Sequence, residues 1–174
     1  AAQKFLYQER HIDPRVVRWC RLTSWIDRQG INWLQIPYYD TTGKLIGIQN
    51  RNLDRQQHPQ SPRFRFPAGS VVSIYNQQVL PRLRHGEQLF ITEGASDCWA
   101  MLSAGHKAIA IPSATLLHPE DVKMLRDLSQ RLETILTRTS PANRSSCNSR
   151  HCYPASFIIS CQQNARTSQN TLYA

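Results

Sequence analysis

The chain has 174 residues, enough for one domain or for two small ones that share a core. Hydrophobic residues make up 40% of it, its mean hydropathy is −0.49, and no apolar run approaches twenty residues, which excludes a membrane span. The net charge of +9 is typical of a nucleic-acid partner, although a basic protein without one would have the same balance. Five cysteines without regular spacing favour a reducing, cytoplasmic location over a disulfide scaffold, and the N-terminus has no signal-peptide pattern.

The first predicted element is a helix. Asp13 suits an N-cap and Pro14 suits the first helical position. Apolar residues then recur with roughly helical spacing as far as Trp25, and Gly30 lies just past that point. We therefore expect one helix that begins at Asp13 and ends before Gly30.

Strand patterns follow the helix. Residues 33–39 and 45–48 read as two strands, and residues 40–43 (Asp-Thr-Thr-Gly) between them are a turn signal, so this region predicts a β-hairpin. Residues 71–75 form another β-rich run. From residue 89 onward strands and helices alternate, which predicts a parallel sheet with right-handed crossovers. The expected elements are a strand at 89–92, a helix at 95–103, a strand at 108–111 and a helix at 119–132.

The composition changes at about residue 134. Residues 134–174 hold four arginines, no lysine and no acid, and they are rich in Ser, Thr, Asn and Gln. Apart from a short apolar run at 157–159 they show no period, so disorder is the expectation. Cys147, His151 and Cys152 suggest a zinc site, but their spacing matches no standard pattern.

Two carboxylates stand at the end of the first strand of the alternating region. Glu93 follows that strand directly, Gly94 opens the turn, and Asp97 lies in the first turn of the helix. Ligands of open α/β sheets bind beyond the carboxyl ends of strands, where two such carboxylates could hold a hard cation such as Mg²⁺. Alternatively, Asp97 only favours the helix N-terminus and Glu93 is a solvated loop acid.

The segment Glu93-Gly94-x-x-Asp97, followed by Gly105 and the strand leading to Ser113, resembles the first half of a Toprim domain. The resemblance implies that Glu93 is a catalytic acid/base or metal-associated residue. It also implies that Asp97 joins a later Asp-x-Asp in binding Mg²⁺ or Mn²⁺.

The upstream region is similar to bacterial-type DNA primases. The resemblance lies in three segments, residues 6–17, 38–51 and 61–76. Together with the Toprim-like region, the resemblance covers about residues 3–133. It implies that Arg51 contacts a nucleotide phosphate or the template backbone, a task that suits a guanidinium fork. Lys44, Arg63 and Arg65 are further candidates for nucleic-acid binding. Arg63 and Arg65 flank Phe64 in a way compatible with base stacking, although a strand with one buried face has the same alternation.

Two features depart from the family pattern. Residues 66–70 lack the lysine that usually follows, and no acid occurs after Glu133, where the resemblance calls for Asp-x-Asp after a third strand. Suitable codons from Leu136 to Asn143, read in another frame, permit Asp-x-Asp-Lys-Pro-Gly-Glu. We therefore expect a chain truncated or frameshifted after about residue 133, and one that begins inside a larger protein.

The expected fold class is α/β. A small α+β primase-type subdomain (1–86) precedes the first half of a Rossmann-like parallel Toprim sheet (87–136) and a disordered or frameshifted tail (137–174). The resemblance implies a bacterial or mobile-element primase that makes RNA primers on single-stranded DNA from nucleotides, with a replicative helicase as a possible partner and activity impaired here. Alternatives are a non-catalytic nucleic-acid-binding module, another Toprim enzyme of nuclease or topoisomerase type, and a non-functional product.

Overall fold

A computed structural model describes residues 1–84, 87–112, 118–132, 134–138 and 157–161. The N-terminal half begins with a π-helix (Lys4–Glu9) and helix α1 (Pro14–Trp19). These precede an antiparallel sheet, which we call the first sheet. Its strands lie in the order β1 (Thr23–Ile26), β2 (Asn32–Tyr39), β3 (Leu45–Asn52) and β4 (Phe64–Arg65).

Helix α1 begins where the sequence predicts and ends earlier. The Asp13 carboxylate caps it by accepting a hydrogen bond of 2.7 Å from the backbone N–H of Arg15. The helix stops at Trp19 because Arg21 takes a left-handed conformation (φ 51°) that the helix cannot contain. Trp25 therefore lies on strand β1, and the prediction of one helix as far as Gly30 is wrong.

The predicted hairpin is confirmed. Strands β2 and β3 pair antiparallel, with a register shift at Tyr38 and Tyr39. In the turn, the Asp40 carboxylate accepts hydrogen bonds from the hydroxyl and N–H of Thr42 and from the N–H of Lys44. These hydrogen bonds, led by that of the Thr42 hydroxyl, hold the pKa of Asp40 below its ordinary value. The turn needs its Asp because a charged carboxylate organises three donors at once.

The run at residues 71–75 does not form the predicted strand. Its two ends bind different sheets instead: the N–H of Val71 donates to the Ile46 carbonyl at 3.0 Å, and Tyr75 forms a two-way backbone bridge with Ala110. The segment therefore crosses from the first sheet to the second rather than extending either one. β-rich composition alone could not distinguish these outcomes.

Gly47 makes that crossing possible. A Cβ atom at this position would lie 2.6 Å from the backbone oxygen of Val71, closer than real Cβ contacts allow. We expect Gly47→Ala to lower the free energy of unfolding by about 1–3 kcal/mol through overpacking. Urea unfolding measures this, with Leu45→Ala as the control on the same strand, because Leu45 is exposed. Equal effects of the two variants would contradict the prediction.

The second sheet contains the alternating region. Its helices and strands are β5 (Leu89–Thr92), α2 (Ala95–Ser103), β6 (Lys107–Ala110), α3 (Pro119–Leu132), β7 (Thr134–Arg138) and β8 (Phe157–Cys161). These elements match the predicted ones from 89 to 132 closely, and a third strand, β7, follows α3 as the resemblance requires. Gly105 (φ 86°) ends α2, also as expected.

The sheet is mixed rather than parallel. Its order is β6-β5-β8-β7; β5 and β6 are parallel, whereas β8 runs antiparallel to both β5 and β7. Within the predicted tail, Phe157–Cys161 forms a strand that pairs with β5. The rest of the tail after β7, including Cys147, His151 and Cys152, lies outside the described residues.

The main core joins the two sheets. The Trp99 indole N–H of α2 donates to the Tyr75 hydroxyl at 2.9 Å, and the Tyr75 ring packs edge-on against Tyr38 of the first sheet. Cys20 and Cys98 are free and buried in this core. In the described part of the chain, no helix is long and apolar enough to cross a membrane.

Candidate functional site

The acidic pair lies where the sequence predicts. Strand β5 ends at Thr92, Glu93 follows it and is exposed, and Asp97 occupies the first turn of α2 and is partly buried. Gly94 between them is extended (φ −154°), and its carbonyl lies 3.2 Å from the Thr92 hydroxyl, which is also 3.1 Å from the Ile109 carbonyl. Both carboxylates therefore stand at the carboxyl edge of the β5–β6 pair.

The charge environment of Asp97 identifies its neighbours. Burial raises the pKa of its carboxyl, and the negative charge of Glu93 raises it further, while the positive charges of Arg10 and Arg51 act in the opposite direction. The charges of a second acid and of two arginines thus act on Asp97. Arg51 comes from strand β3 and Arg10 from the segment after the π-helix. We call the space among Arg10, Arg51, Glu93 and Asp97 the crevice, and its residues come from both halves of the chain.

Arg51 belongs to an alternating stack of arginine and phenylalanine side chains. The Arg10 guanidinium carbon lies 5.5 Å from the centre of the Phe5 ring, and that of Arg51 lies 4.6 Å from the same centre. Arg51 is also 5.7 Å from the Phe64 ring centre, and Arg63 is 5.3 Å from it. We call these five residues the arginine–phenylalanine stack. The rings attract each cation by their quadrupole and keep the cations in fixed positions.

The stack concentrates positive charge in a partly buried place. Burial lowers the pKa of Arg51 to about 10, and the nearby charges of Arg63 and Arg10 contribute to the shift. Arg51 remains charged at neutral pH, and the opposite charges of Asp97 and Glu9 only partly offset the burial and the neighbouring arginines. An anion that entered the crevice would relieve this repulsion, which makes phosphate an appropriate ligand.

The other predicted residues are distributed unequally. Arg63 belongs to the stack, whereas Arg65 follows Phe64 on β4 and therefore lies on the opposite face of the first sheet from Phe64. Lys44 is exposed at the far end of β3, about 20 Å from Arg51 along the strand. The Phe64 ring already contacts two guanidinium groups, so the structure gives no support to the hypothesis that it stacks a base.

Sequence reasoning did not select Arg10 or Phe5. Glu9-Arg10 was part of the family resemblance, but nothing in the local pattern connects it to Arg51, forty-one positions away. Their contact depends on how the π-helix packs against the first sheet.

The donors at this crevice suit a limited metal site. Two carboxylates are enough for one Mg²⁺ when water and phosphate oxygens supply its remaining ligands. Among the described residues, no group of three or more His, Cys, Asp or Glu side chains could hold a metal ion. Glu93 and Asp97 therefore fit a metal that arrives with a phosphate ligand better than a permanently bound one.

The raised pKa of Asp97 leads to a stability prediction. Because the folded-state pKa exceeds the unfolded value of 3.8, folding is favoured below that value and loses this contribution as the pH rises through the folded pKa. We expect Asp97→Asn to melt at a higher temperature than the wild type at pH 7, with a smaller difference near pH 4.5. Asp127→Asn, at an exposed position on α3, is the control, and a destabilised Asp97→Asn at pH 7 would contradict the prediction.

Comparison with known proteins places this geometry in one fold. No family model matches the chain, and no curated protein is similar to it in sequence. Solved structures that resemble it include catalytic domains of DNA primases. One is the Aquifex aeolicus primase with its zinc-binding and RNA polymerase domains (TM-score 0.55, 18% identity, 73% of this chain and 40% of that chain).

Two further examples extend this likeness. One is the Mycobacterium tuberculosis DnaG RNA polymerase domain in complex with a double-stranded DNA oligomer that has a 6-nucleotide overhang (TM-score 0.53, 17% identity, 73% of this chain and 51% of that chain). The other is a DnaG primase catalytic domain bound to single-stranded DNA (TM-score 0.53, 13% identity, 74% of this chain and 53% of that chain). At these identities the likeness shows a primase-like fold, and the chain spans about half the length of these structures or less.

Proposed function

We propose that this chain is a primase-like Toprim protein that binds single-stranded DNA and nucleotides in the crevice between the arginine–phenylalanine stack and Asp97. The observation that carries the proposal is the position of the stack beside the acidic pair. Cations and carboxylates meet there at the carboxyl edge of strand β5. The likeness to DnaG catalytic domains supports nucleotidyl transfer as the reaction class.

In this proposal Glu93 and Asp97 hold Mg²⁺ or Mn²⁺ together with substrate phosphates. The metal would supply positive charge that neutralises the triphosphate. Arg51 binds a phosphate of the nucleotide or the template, and the two phenylalanines of the stack keep its guanidinium in one place. Asp97 would bind the metal in its ionised form, so metal binding would strengthen as the pH rises through its raised pKa and level off above it.

The proposal includes weak catalysis by this chain. Residues 134–174 contain no acid, and phosphoryl transfer generally uses a cluster of several carboxylates around its metal ions. A shift of reading frame after about residue 133 accounts for the loss of Asp-x-Asp. Sequencing the coding DNA for residues 130–150 decides this point, because the frameshift requires two aspartate codons in another frame.

Primer synthesis tests the proposal directly. Residues 1–174 are incubated with a single-stranded DNA template, ribonucleotides and Mg²⁺ or Mn²⁺, and labelled products are resolved by length. We expect little or no primer, but binding of the template that weakens steeply with salt. Efficient, template-dependent synthesis that is lost in Glu93→Gln would contradict the predicted impairment and would establish the metal site. Absence of both synthesis and template binding would refute the proposal as a whole.

A non-catalytic nucleic-acid-binding module is the second candidate. The charge balance at the site favours this candidate, because the stack contains three arginines and the site has only two acids, Glu93 and Asp97. The two candidates differ in their response to metal: the module binds single-stranded DNA equally well with and without Mg²⁺, whereas the primase-like site binds nucleoside triphosphate more tightly with it. Glu93→Gln should remove this metal dependence if the site is primase-like, and it should change nothing if the chain is a non-catalytic module.

A further inference from the structure

The face of the first sheet that points away from the crevice has an unusual set of side chains. Strand register places Trp25 beside Trp33, and Gln35 beside Asn50, which in turn pairs with Arg65. Side chains alternate along a strand, so these residues share one face, while Arg51 and Phe64 occupy the other. We call this surface the outer face. The residues named here carry aromatic, amide or guanidinium groups, and Thr23, Pro37 and Ile48 share the same face by register.

The Trp25 side chain reaches across this surface. Its indole N–H donates to the side-chain oxygen of Asn50 at 3.2 Å, and Asn50 belongs to β3, two strands away from β1. The ring must therefore cross β2 to reach its partner, a span of nearly 10 Å between the outer two strands. Trp25 nevertheless keeps 40% of its surface exposed. The hydrogen bond thus holds a large exposed ring in one orientation.

Cations lie near both ends of β2 on this face, one of them beside the Trp33 ring and the other about 20 Å further along the strand. The Arg65 guanidinium lies 4.3 Å from the centre of the Trp33 ring and 3.8 Å from the Asp27 carboxylate, and its side chain is 40% exposed. Toward the other end, the exposed Arg21 lies 4.8 Å from the Tyr39 ring centre. A fixed aromatic platform between cations has the chemistry that binds single-stranded nucleic acid: bases stack on the ring and phosphates meet the guanidinium groups.

We propose that the outer face is a second contact surface for single-stranded nucleic acid, in which Trp25 stacks a base and Arg65 and Arg21 bind the backbone. Its chemistry suits this occupant better than a second copy of the chain, since the polar Gln35, Asn50 and Arg65 surround a single exposed ring and the whole chain carries a charge of +9. The surface acts independently of the crevice and requires no metal or nucleotidyl transfer.

Binding of a dT30 oligonucleotide by the full chain tests this surface. Trp25→Ala should weaken binding about tenfold, a loss typical of one stacked base. Trp25→Phe should retain most of the affinity but lose most of the quenching of tryptophan fluorescence, since Trp33 and Trp99 are fully buried and Trp19 is half-buried beneath the Arg82 guanidinium. The matched control is Ile26→Ala, which removes a side chain that is 65% exposed on the same strand but on the opposite face, and it should bind like the wild type.

The outcomes separate this surface from the crevice. A loss of affinity in Trp25→Ala without any in Arg51→Gln supports the outer face and counts against the crevice, and the reverse result does the opposite. If both contribute separately, their fold-changes multiply in the double variant. Wild-type affinity in a folded Trp25→Ala variant overturns the proposal. The proposal is also overturned if Trp25→Ala leaves DNA binding unchanged but abolishes self-association measured by sedimentation, because the surface would then contact a second copy of the chain.

Discussion

Arg51→Gln is expected to weaken binding of single-stranded DNA by roughly tenfold to a hundredfold, because it removes a charge-assisted contact to phosphate. The guanidinium is already held between Phe5 and Phe64, so it does not have to be ordered when the ligand arrives. Fluorescence anisotropy at several salt concentrations measures the effect. The dependence of log affinity on log salt should also become shallower by about 0.7 for one lost phosphate contact.

Lys44→Gln is the matched control for this variant. It removes the same charge from the same hairpin, about 20 Å away from Arg51 along the strand, at an exposed position. Arg51→Lys should be intermediate, because it keeps the charge and loses the planar fork. If Lys44→Gln and Arg51→Gln weaken binding equally, the affinity comes from overall charge and the crevice has no special role.

The largest effect on stability is expected at Trp99. Its side chain is fully buried and its indole N–H bonds to the Tyr75 hydroxyl, so Trp99→Ala should lower the free energy of unfolding by about 3–5 kcal/mol. Trp99→Phe keeps an aromatic ring but leaves the Tyr75 hydroxyl without that donor, and we expect a smaller loss of about 1–3 kcal/mol. Urea unfolding distinguishes the two. A Trp99→Ala chain as stable as Trp99→Phe would show that the cavity collapses without cost.

The alternating half of the chain could be predicted from sequence because its signals are local. Residues close in sequence determine each of three features: the strand before Glu93, the turn at Gly94 and the helix end at Gly105. The structure has all three at the predicted places. The positions of Glu93 and Asp97 follow from those boundaries. Their chemical roles depend on neighbours far away in sequence and stay predictions.

The remaining features depend on long-range packing. The contact between Phe5 and Arg51 requires the π-helix to lie against the first sheet, and Phe64 reaches Arg51 only through the register of β3 and β4. Trp25 fits a helical apolar pattern equally well, and only the left-handed residue Arg21 excludes it from the helix. The apolar run at 157–159 indicates a strand, but the polar composition around it favours a prediction of disorder.

The contacts of Tyr75 and Asn76 also limit how such a chain can recombine with its relatives. A chimaera joined at residue 86, the predicted subdomain boundary, would take Tyr75 and Asn76 from one parent and their partners from the other. Those partners are Ala110, the indole of Trp99 and the carbonyl of Ala108, which accepts from the Asn76 amide at 2.7 Å. Because the bridge and the Ala108 acceptor are main-chain groups, the limit comes from the side chains of Tyr75, Asn76 and Trp99, and exchange should be tolerated best between parents that share these three residues.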